Sequence, residues 1–125
     1  MSKEAFAAAQ GAPPVGPYSP GVVSDGLVFV SGQVPLDAAG NVVGESAAEQ
    51  ARQSLENLRA LLAARGLTMD AVVKTTIFLT DLGDFAAVND VYASFFSPPY
   101  PARSTVQVGA LPKGVKVEIE AIARQ

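Results

Sequence analysis

The chain has 125 residues, 49% of them hydrophobic and 17% charged, and it contains no cysteine and no histidine. Disulfides, thiol or imidazole catalysis and cysteine–histidine zinc sites are therefore excluded. Nine Lys+Arg residues against twelve Asp+Glu residues give a net charge of −3, which argues against a nucleic-acid-binding domain because such domains are usually basic. Any chemistry must use carboxylates, hydroxyls, lysine, arginine, backbone groups and water.

The length predicts one domain over residues 1–125. Residues 1–12 are mostly small or polar, and we expect them to form a loose leader. Apolar runs such as 60–64 are far too short for a membrane span, and the first residues do not resemble a signal peptide. We therefore expect a cytoplasmic protein that does not contact a membrane.

The first half of the chain predicts a strand followed by a helix. A proline-rich turn over 11–20 precedes a strand over 27–31 that ends at Gly32. A helix begins near Ser46, which forms a capping box with Glu49, and it ends at Arg65-Gly66. Its buried stripe is predicted to comprise Ala51, Leu55, Leu58 and Leu62, and its opposite, polar side Gln50, Arg52, Gln53, Glu56 and Arg59.

The second half predicts a strand, a helix and two closing strands. The strand spans 72–80, the helix begins at Asp84 and stops before Pro98-Pro99, and the last strands span 103–108 and 115–123. The stripe of the second helix is predicted to comprise Phe85, Val88, Tyr92 and Phe95. This order predicts an α+β (α/β layered) fold, a mixed sheet with two helices on one face. Oligomerisation is the simplest way to cover the sheet face opposite the helices.

The last two strands alternate between apolar and polar side chains. One polar face is predicted to gather Arg103, Thr105, Gln107, Lys116, Glu118 and Glu120. Two interpretations remain open: a solvated face with weak ion pairs, or an anion site. In the anion site, the paired donors of an arginine bind a carboxylate and a nearby glutamate holds and deprotonates a water.

Three other positions are weaker candidates, each with an ordinary structural explanation. Tyr18 is either a packing anchor of the proline-rich segment or a ligand contact. Asn89 is either a solvated helical residue or a hydrogen-bonding group of a site. The pair Ser31-Gly32 is either a plain strand end or a place where backbone groups approach a small molecule.

Seven segments, in the same order along the chain, resemble the Rid (reactive intermediate deaminase, YjgF-like) family. They are Gly16-Pro-Tyr-Ser19, Val30-Ser-Gly-Gln33, Gln53-Ser-Leu-Glu-Asn57, Val73-Lys-Thr-Thr76, Phe85-Ala-Ala-Val-Asn89, Tyr100-Pro-Ala-Arg-Ser104 and Val117-Glu-Ile-Glu-Ala121. Arg103, which marks the imine deaminases, places the resemblance in the archetypal RidA branch. The resemblance implies a Bacillus chorismate mutase-like fold, assembled as a homotrimer with the sheets inside and clefts between subunits. It also implies that the last strand lies between the first two core strands, so that the last two strands do not pair as a hairpin.

The implied activity is hydrolysis of reactive 2-iminoacids, formed from 2-aminoacrylate and 2-aminocrotonate, to 2-ketoacids and ammonia. The resemblance implies that Arg103 binds the substrate carboxylate and Glu118 activates water, with Glu120 as the alternative carboxylate. Neither a cofactor nor a metal is needed. Further cleft positions are implied for Tyr18, Ser31, Gly32, Asn89 and Thr105, of which Gly32 and Thr105 contribute backbone groups. Thr105 departs from the cysteine of many members, which puts any side-chain role in doubt.

Two other functions compete with the deaminase. The first is a trimeric module, small-metabolite-binding or chaperone-like, that holds ketoacids without turning over imines. The second is a ribonuclease or translation inhibitor, against which the pI of about 4.8 and the absence of histidine argue.

Overall fold

The computed structural model describes residues 2–125. Their strands form one mixed six-stranded sheet. Two helices, α1 (Ala47–Ala63) and α2 (Phe85–Ala93), pack on one face of this sheet, as predicted for the α+β fold. The strands lie in the order β1-β2-β3-β6-β4-β5. In chain order they are β1 (Glu4–Phe6), β2 (Gly21–Ser24), β3 (Leu27–Gln33), β4 (Val72–Leu79), β5 (Ala102–Gln107) and β6 (Val117–Arg124).

Helix α1 forms where its capping residues and its apolar stripe predict. The Ser46 hydroxyl accepts the Glu49 N–H at 3.1 Å while the Glu49 carboxylate accepts the Ser46 N–H at 3.0 Å, so the capping box is complete. The four predicted stripe residues are buried against the sheet. The prediction that Gln50 is on the solvent side is wrong, because its side chain is buried and bonds to Gly44 O and to the N–H of Lys116.

Helix α2 begins after Asp84, whose side chain makes no capping hydrogen bond, and Asp81 caps the turn before it. Asp81 accepts the Gly83 N–H at 2.8 Å and so starts the short 3-10 helix Leu82–Asp84 that leads into α2. Val88, Tyr92 and Phe95 of the predicted stripe are buried, whereas Phe85 remains 40% exposed. The first turn of α2 therefore extends past the edge of the core.

The chain from residue 4 onward is more ordered than a loose leader. The leader prediction is wrong for Glu4–Phe6, which pairs antiparallel with β2. Arg65 beyond α1 secures this strand, since it bonds to the Glu4 carboxylate at 3.3 Å and its guanidinium lies 5.6 Å from the centroid of the Phe6 ring.

The last strand lies inside the sheet, as the family resemblance implies. β6 pairs antiparallel with both β3 and β4, whereas β5 pairs parallel with β4 at the edge. β5 and β6 are thus separated by β4, and they do not form a hairpin. The apolar side of β6 contacts α1 and forms the middle of the core.

The sheet face opposite the helices carries apolar side chains without a covering layer from residues 2–125. Phe29 of β3 and Val106 of β5 are each 41% exposed on this face. A shallow hollow of about 290 Å³ lies there, with Phe29, Thr76 and Ile122 among its lining residues. A contiguous apolar sheet face of this kind is typical of an interaction surface. Neither helix of the described chain is long and apolar enough to cross a membrane.

Replacing Leu55 by alanine tests the packing of α1. Leu55 is fully buried, so Leu55→Ala should lower the free energy of unfolding by about 2–5 kcal/mol. Leu82→Ala removes the same atoms at a position that is 46% exposed and should cost about 0.5 kcal/mol or less. Urea denaturation at one protein concentration measures both values, and equal losses would contradict the assigned core.

Candidate functional site

The residues predicted for a site lie in two separate places. Arg103, Asn89 and Thr105 lie on the helix side of the sheet, at its β5 edge. Glu118 lies on the open face, close to Gly32. The structure therefore yields two half-sites, named here the arginine half-site and the glutamate half-site.

Strand register explains why the two half-sites are apart. Arg103 of β5 is level with Thr75 of β4, which is level with Ala121 of β6, so all three side chains point to the helix face. Glu118 is level with Phe78 and points the other way. The prediction that Arg103, Thr105 and Gln107 share one face with Glu118 and Glu120 is therefore wrong within one chain. Strands β5 and β6 do not pair with each other, because β4 lies between them and its register sets the face of each.

The arginine half-site holds its guanidinium by three contacts from α2. Arg103 Nη1 donates to Asn89 Oδ1 at 2.7 Å. The guanidinium carbon lies 4.8 Å from the centroid of the Tyr92 ring and 5.5 Å from that of Phe85. Over residues 2–125, the ion pairs found involve other arginines, so Arg103 is held in place without being neutralised by a carboxylate.

Thr105 lies two residues further along β5, on the same side as Arg103. Its hydroxyl is buried and finds no hydrogen-bond partner within residues 2–125. The position therefore tolerates a side chain that forms no hydrogen bond.

A β-bulge shapes the glutamate half-site. Between Val30 and Gln33, β3 uses one residue more than β6, so the extra length falls at Ser31-Gly32. The bulge is fixed because the Ser31 hydroxyl donates to Ser19 O at 2.6 Å and the Ser31 N–H donates to Pro20 O at 3.0 Å. These bonds also tie the proline-rich segment to the sheet.

Gly32 is required because the Glu118 side chain occupies the space that a larger residue would fill. A Cβ at position 32 would collide with the Glu118 carboxylate. Glycine lets the carboxylate lie directly against the β3 backbone. The sequence left Ser31-Gly32 as either a plain strand end or a place where the backbone approaches a small molecule, and in the structure the group against Gly32 is the chain's own glutamate.

A cavity of about 600 Å³ opens beside this carboxylate. Tyr18, Ser31, Gly32, Glu118 and Glu120 line it together with most of residues 7–15 and the α1 residues Asn57, Ala60 and Leu61. Tyr18 is half exposed along the wall, so it contacts the cavity rather than anchoring a core. Arg103 and Asn89 are not part of the cavity wall.

Burial and a neighbouring charge both act on Glu118. Its half-buried position raises the pKa of the carboxyl above its ordinary value, because desolvation disfavours the charged form. The Glu120 carboxylate raises the pKa further by repulsion. A carboxylate with a raised pKa is a better proton acceptor than an ordinary glutamate, which suits it to activate water.

Asn57 is a residue that sequence reasoning assigned to the family motif without a role. Its side-chain amide donates to Val34 O at 3.2 Å and Leu36 O at 3.0 Å, and its Oδ1 accepts from Gln53 Nε2 at 2.8 Å. These bonds hold the chain just after the bulge. The spacing of Gln53 and Asn57, one helical turn apart, was the available signal.

The donor set suits an organic acid more than a metal ion. No group of three or more acidic side chains that could hold a cation is found within residues 2–125. The half-sites instead offer a guanidinium for an anion and a carboxylate for a water or an amine.

Comparison with known proteins agrees with the sequence motifs. A family model described as endoribonuclease L-PSP matches residues 9–125. The chain is 51% identical to the 2-iminobutanoate/2-iminopropanoate deaminase of Salmonella typhimurium over 112 residues, which are 87% of this chain and 88% of that protein. It is 56% identical to the RutC family protein y4sK of Sinorhizobium fredii over 109 residues, 86% of each chain.

Solved structures of other proteins have the same fold as this chain. The crystal structure of E. coli TdcF with bound serine superposes with a TM-score of 0.90 at 44% identity and covers 98% of both chains. Several relatives have names that denote deaminases, while others, such as y4sK, do not. The family predicted from the seven segments is thereby confirmed. The chain belongs to the Rid, or YjgF-like, family, whose model is described as endoribonuclease L-PSP.

Proposed function

We propose that this protein is a deaminase that hydrolyses 2-iminoacids to 2-ketoacids and ammonia without a cofactor. Arg103 is the observation that carries the proposal, because its guanidinium is held by Asn89 and two aromatic rings yet pairs with no carboxylate of residues 2–125. Such a group is ready to receive the carboxylate that every 2-iminoacid bears. The name of the Salmonella relative, 51% identical, supports 2-iminobutanoate and 2-iminopropanoate as substrates.

Arg103 would bind the substrate carboxylate through two parallel N–H donors. Asn89 accepts a bond from Nη1 at 2.7 Å, which leaves the remaining N–H groups of the guanidinium for the substrate. Lysine would keep the charge but lose the planar pair of donors. The carboxylate contact would set the position of the imine carbon, which lies one bond further along the substrate.

Glu118 would provide the base. In the proposed reaction it takes a proton from a water whose oxygen bonds to the carbon of the protonated imine. The proton held by Glu118 then goes to the nitrogen of the resulting amino alcohol. The C–N bond breaks as the carbonyl forms, and the Glu118 carboxylate takes the hydroxyl proton and passes it to the departing ammonia. Protonated imine and water give ketone and ammonium, so the sum needs no oxidant and no reductant. A protonated imine is already electrophilic, so holding the water and the substrate in position supplies most of the remaining rate acceleration.

The two half-sites would meet only when chains assemble. Within one chain Arg103 and Glu118 point to opposite faces of the sheet. In a ring of three identical subunits each interface joins two different surfaces, so one subunit can supply the arginine and its neighbour the glutamate. We therefore propose a homotrimer whose clefts lie between subunits and whose sheets pack inside, which also covers the exposed Phe29 and Val106.

Substitutions of the two central residues test the chemistry. A threonine dehydratase with threonine releases imine continuously, and the appearance of 2-ketobutanoate is followed with and without this protein. The wild-type chain should accelerate the appearance of 2-ketobutanoate. Arg103→Ala should abolish the acceleration, Arg103→Lys should lose most of it, and Glu118→Gln should lower the rate at saturating imine by about 100-fold or more.

The outcomes of that assay separate the competing functions. A wild-type chain that binds 2-ketobutanoate but does not accelerate its formation from the imine would favour a metabolite-binding module. Full activity in Glu118→Gln, with loss in Glu120→Gln, would move the base to Glu120.

Mixing two inactive variants tests the shared cleft. Arg103→Ala and Glu118→Gln chains, unfolded together and refolded in equal amounts, should regain activity because about a quarter of the clefts combine an intact arginine with an intact glutamate. Native mass spectrometry checks that mixed trimers form. A monomeric mass, or mixed trimers without regained activity, would contradict a site shared between subunits.

The pH dependence of turnover tests the environment of Glu118. Protonation of Glu118 removes the base, so kcat/KM should fall as the pH drops through a pKa that burial and Glu120 hold above the ordinary glutamate value. Glu120→Gln removes one of these two causes, so the acid limb should shift to lower pH while staying above the ordinary value. Asp70→Asn removes an exposed carboxylate outside the cavity and should leave the limb in place. Equal limbs in wild type and Glu120→Gln would contradict the assignment.

A further inference from the structure

The arginine half-site rests on an aromatic residue that is itself held rigidly. Tyr92 is 5% exposed, and its hydroxyl is 2.8 Å from the Thr75 Oγ1 in a buried hydrogen bond. Its ring also packs against Phe96, with 4.5 Å between ring centroids. Because the ring is fixed at its hydroxyl and along its side, it offers a stable surface to Arg103.

Thr75 connects this arrangement to the sheet. It is fully buried on β4 and lies level with Arg103 on β5. The same sheet position therefore sets the start of the Arg103 side chain and, through Tyr92, the place where its guanidinium lies. Phe85 at the first turn of α2 adds a second ring at 5.5 Å, on the more exposed side.

We propose that Tyr92, bonded to Thr75 and assisted by Phe85, is a positioning residue that holds Arg103 in its carboxylate-binding conformation before the substrate arrives. This role rests on the proposed function, in which Arg103 binds the substrate carboxylate. A free arginine side chain samples many rotamers and loses that freedom on binding. A guanidinium already held by two rings and Asn89 loses less, so the ligand binds more tightly.

The chain contains a comparable arginine–aromatic contact that has no link to the proposed site. Phe95 is buried, and the Arg59 and Arg52 guanidinium carbons lie 4.9 and 5.8 Å from its ring centroid. Arg59 pairs with the Glu56 carboxylate, so this arginine is neutralised on the helix surface. Loss of the Phe95 ring should therefore affect folding without affecting carboxylate binding.

Tyr92→Leu removes the ring, and two measurements follow its effect. One is NMR relaxation of the Arg103 Nε–H, which reports how ordered the guanidinium is without any ligand. The other is titration calorimetry with 2-ketobutanoate. We expect Tyr92→Leu to loosen Arg103 and to weaken 2-ketobutanoate binding by about 3- to 30-fold. Tyr92→Phe, which keeps the ring and loses the bond to Thr75, should restore most of the affinity.

Phe95→Leu is the matched control, since it removes a buried aromatic ring of similar size from the same region. It should lower the melting temperature but leave both the order of Arg103 and the affinity for 2-ketobutanoate unchanged. If Tyr92→Leu does not fold, Phe85→Leu at a 40% exposed position provides the same two measurements, with a smaller loss expected.

Two results would overturn the positioning role: an Arg103 guanidinium that stays equally ordered in Tyr92→Leu, or an affinity that falls as much in Phe95→Leu. The failure of the proposed function would look different. In that case wild-type protein would not bind 2-ketobutanoate, or Arg103→Ala would keep full activity, and the relaxation of Arg103 would still decide whether Tyr92 restrains it.

Discussion

The position of β6 between β3 and β4 is the constraint on which the rest of the structure depends. As a central strand, β6 buries its apolar side against α1 and completes the core between the two halves of the chain. The same register turns Glu118 and Glu120 to the open face and displaces β5 to the edge of the sheet. Core packing and the orientation of the candidate catalytic groups are thus consequences of one strand order.

Alternation along the strands then separates the two half-sites within a single chain. Residues level with one another across β4, β5 and β6 share a face of the sheet. The Arg103 side chain therefore lies on the helix side, and the Glu118 side chain lies on the opposite face. The open sheet face, with Phe29 41% exposed, has no cover from residues 2–125. The proposed trimer would bury this surface and bring the half-sites together in the same step, so stability and activity would depend on one interface.

Within residues 2–125, each half-site holds its charged group in place without an oppositely charged partner. Arg103 is fixed by contacts from Asn89, Tyr92 and Phe85, none of which neutralises its charge. Glu118 fits against Gly32, and burial together with Glu120 raises its pKa. Burial disfavours the charged form of Glu118, a cost that a proton would relieve, whereas Arg103 keeps a charge that a bound carboxylate would pair. Groups preorganised in this way are typical of sites where charge develops during a reaction.

Local signals in the sequence identified both helices, four of the six strands and the chemistry available to this protein, but not the strands Glu4–Phe6 and Gly21–Ser24. The capping box at Ser46 and Glu49, the stripe of α1 and the absence of cysteine and histidine needed no tertiary information. The family segments also identified Arg103 and Glu118 as candidates. Sequence reasoning failed where residues distant along the chain meet: it placed Arg103 and Glu118 on one face, set Gln50 in solvent and left Glu4–Phe6 loose. Only the tertiary structure decided these points, because hydrogen bonding between strands, and not the pattern within a strand, determines which side of the sheet each residue faces.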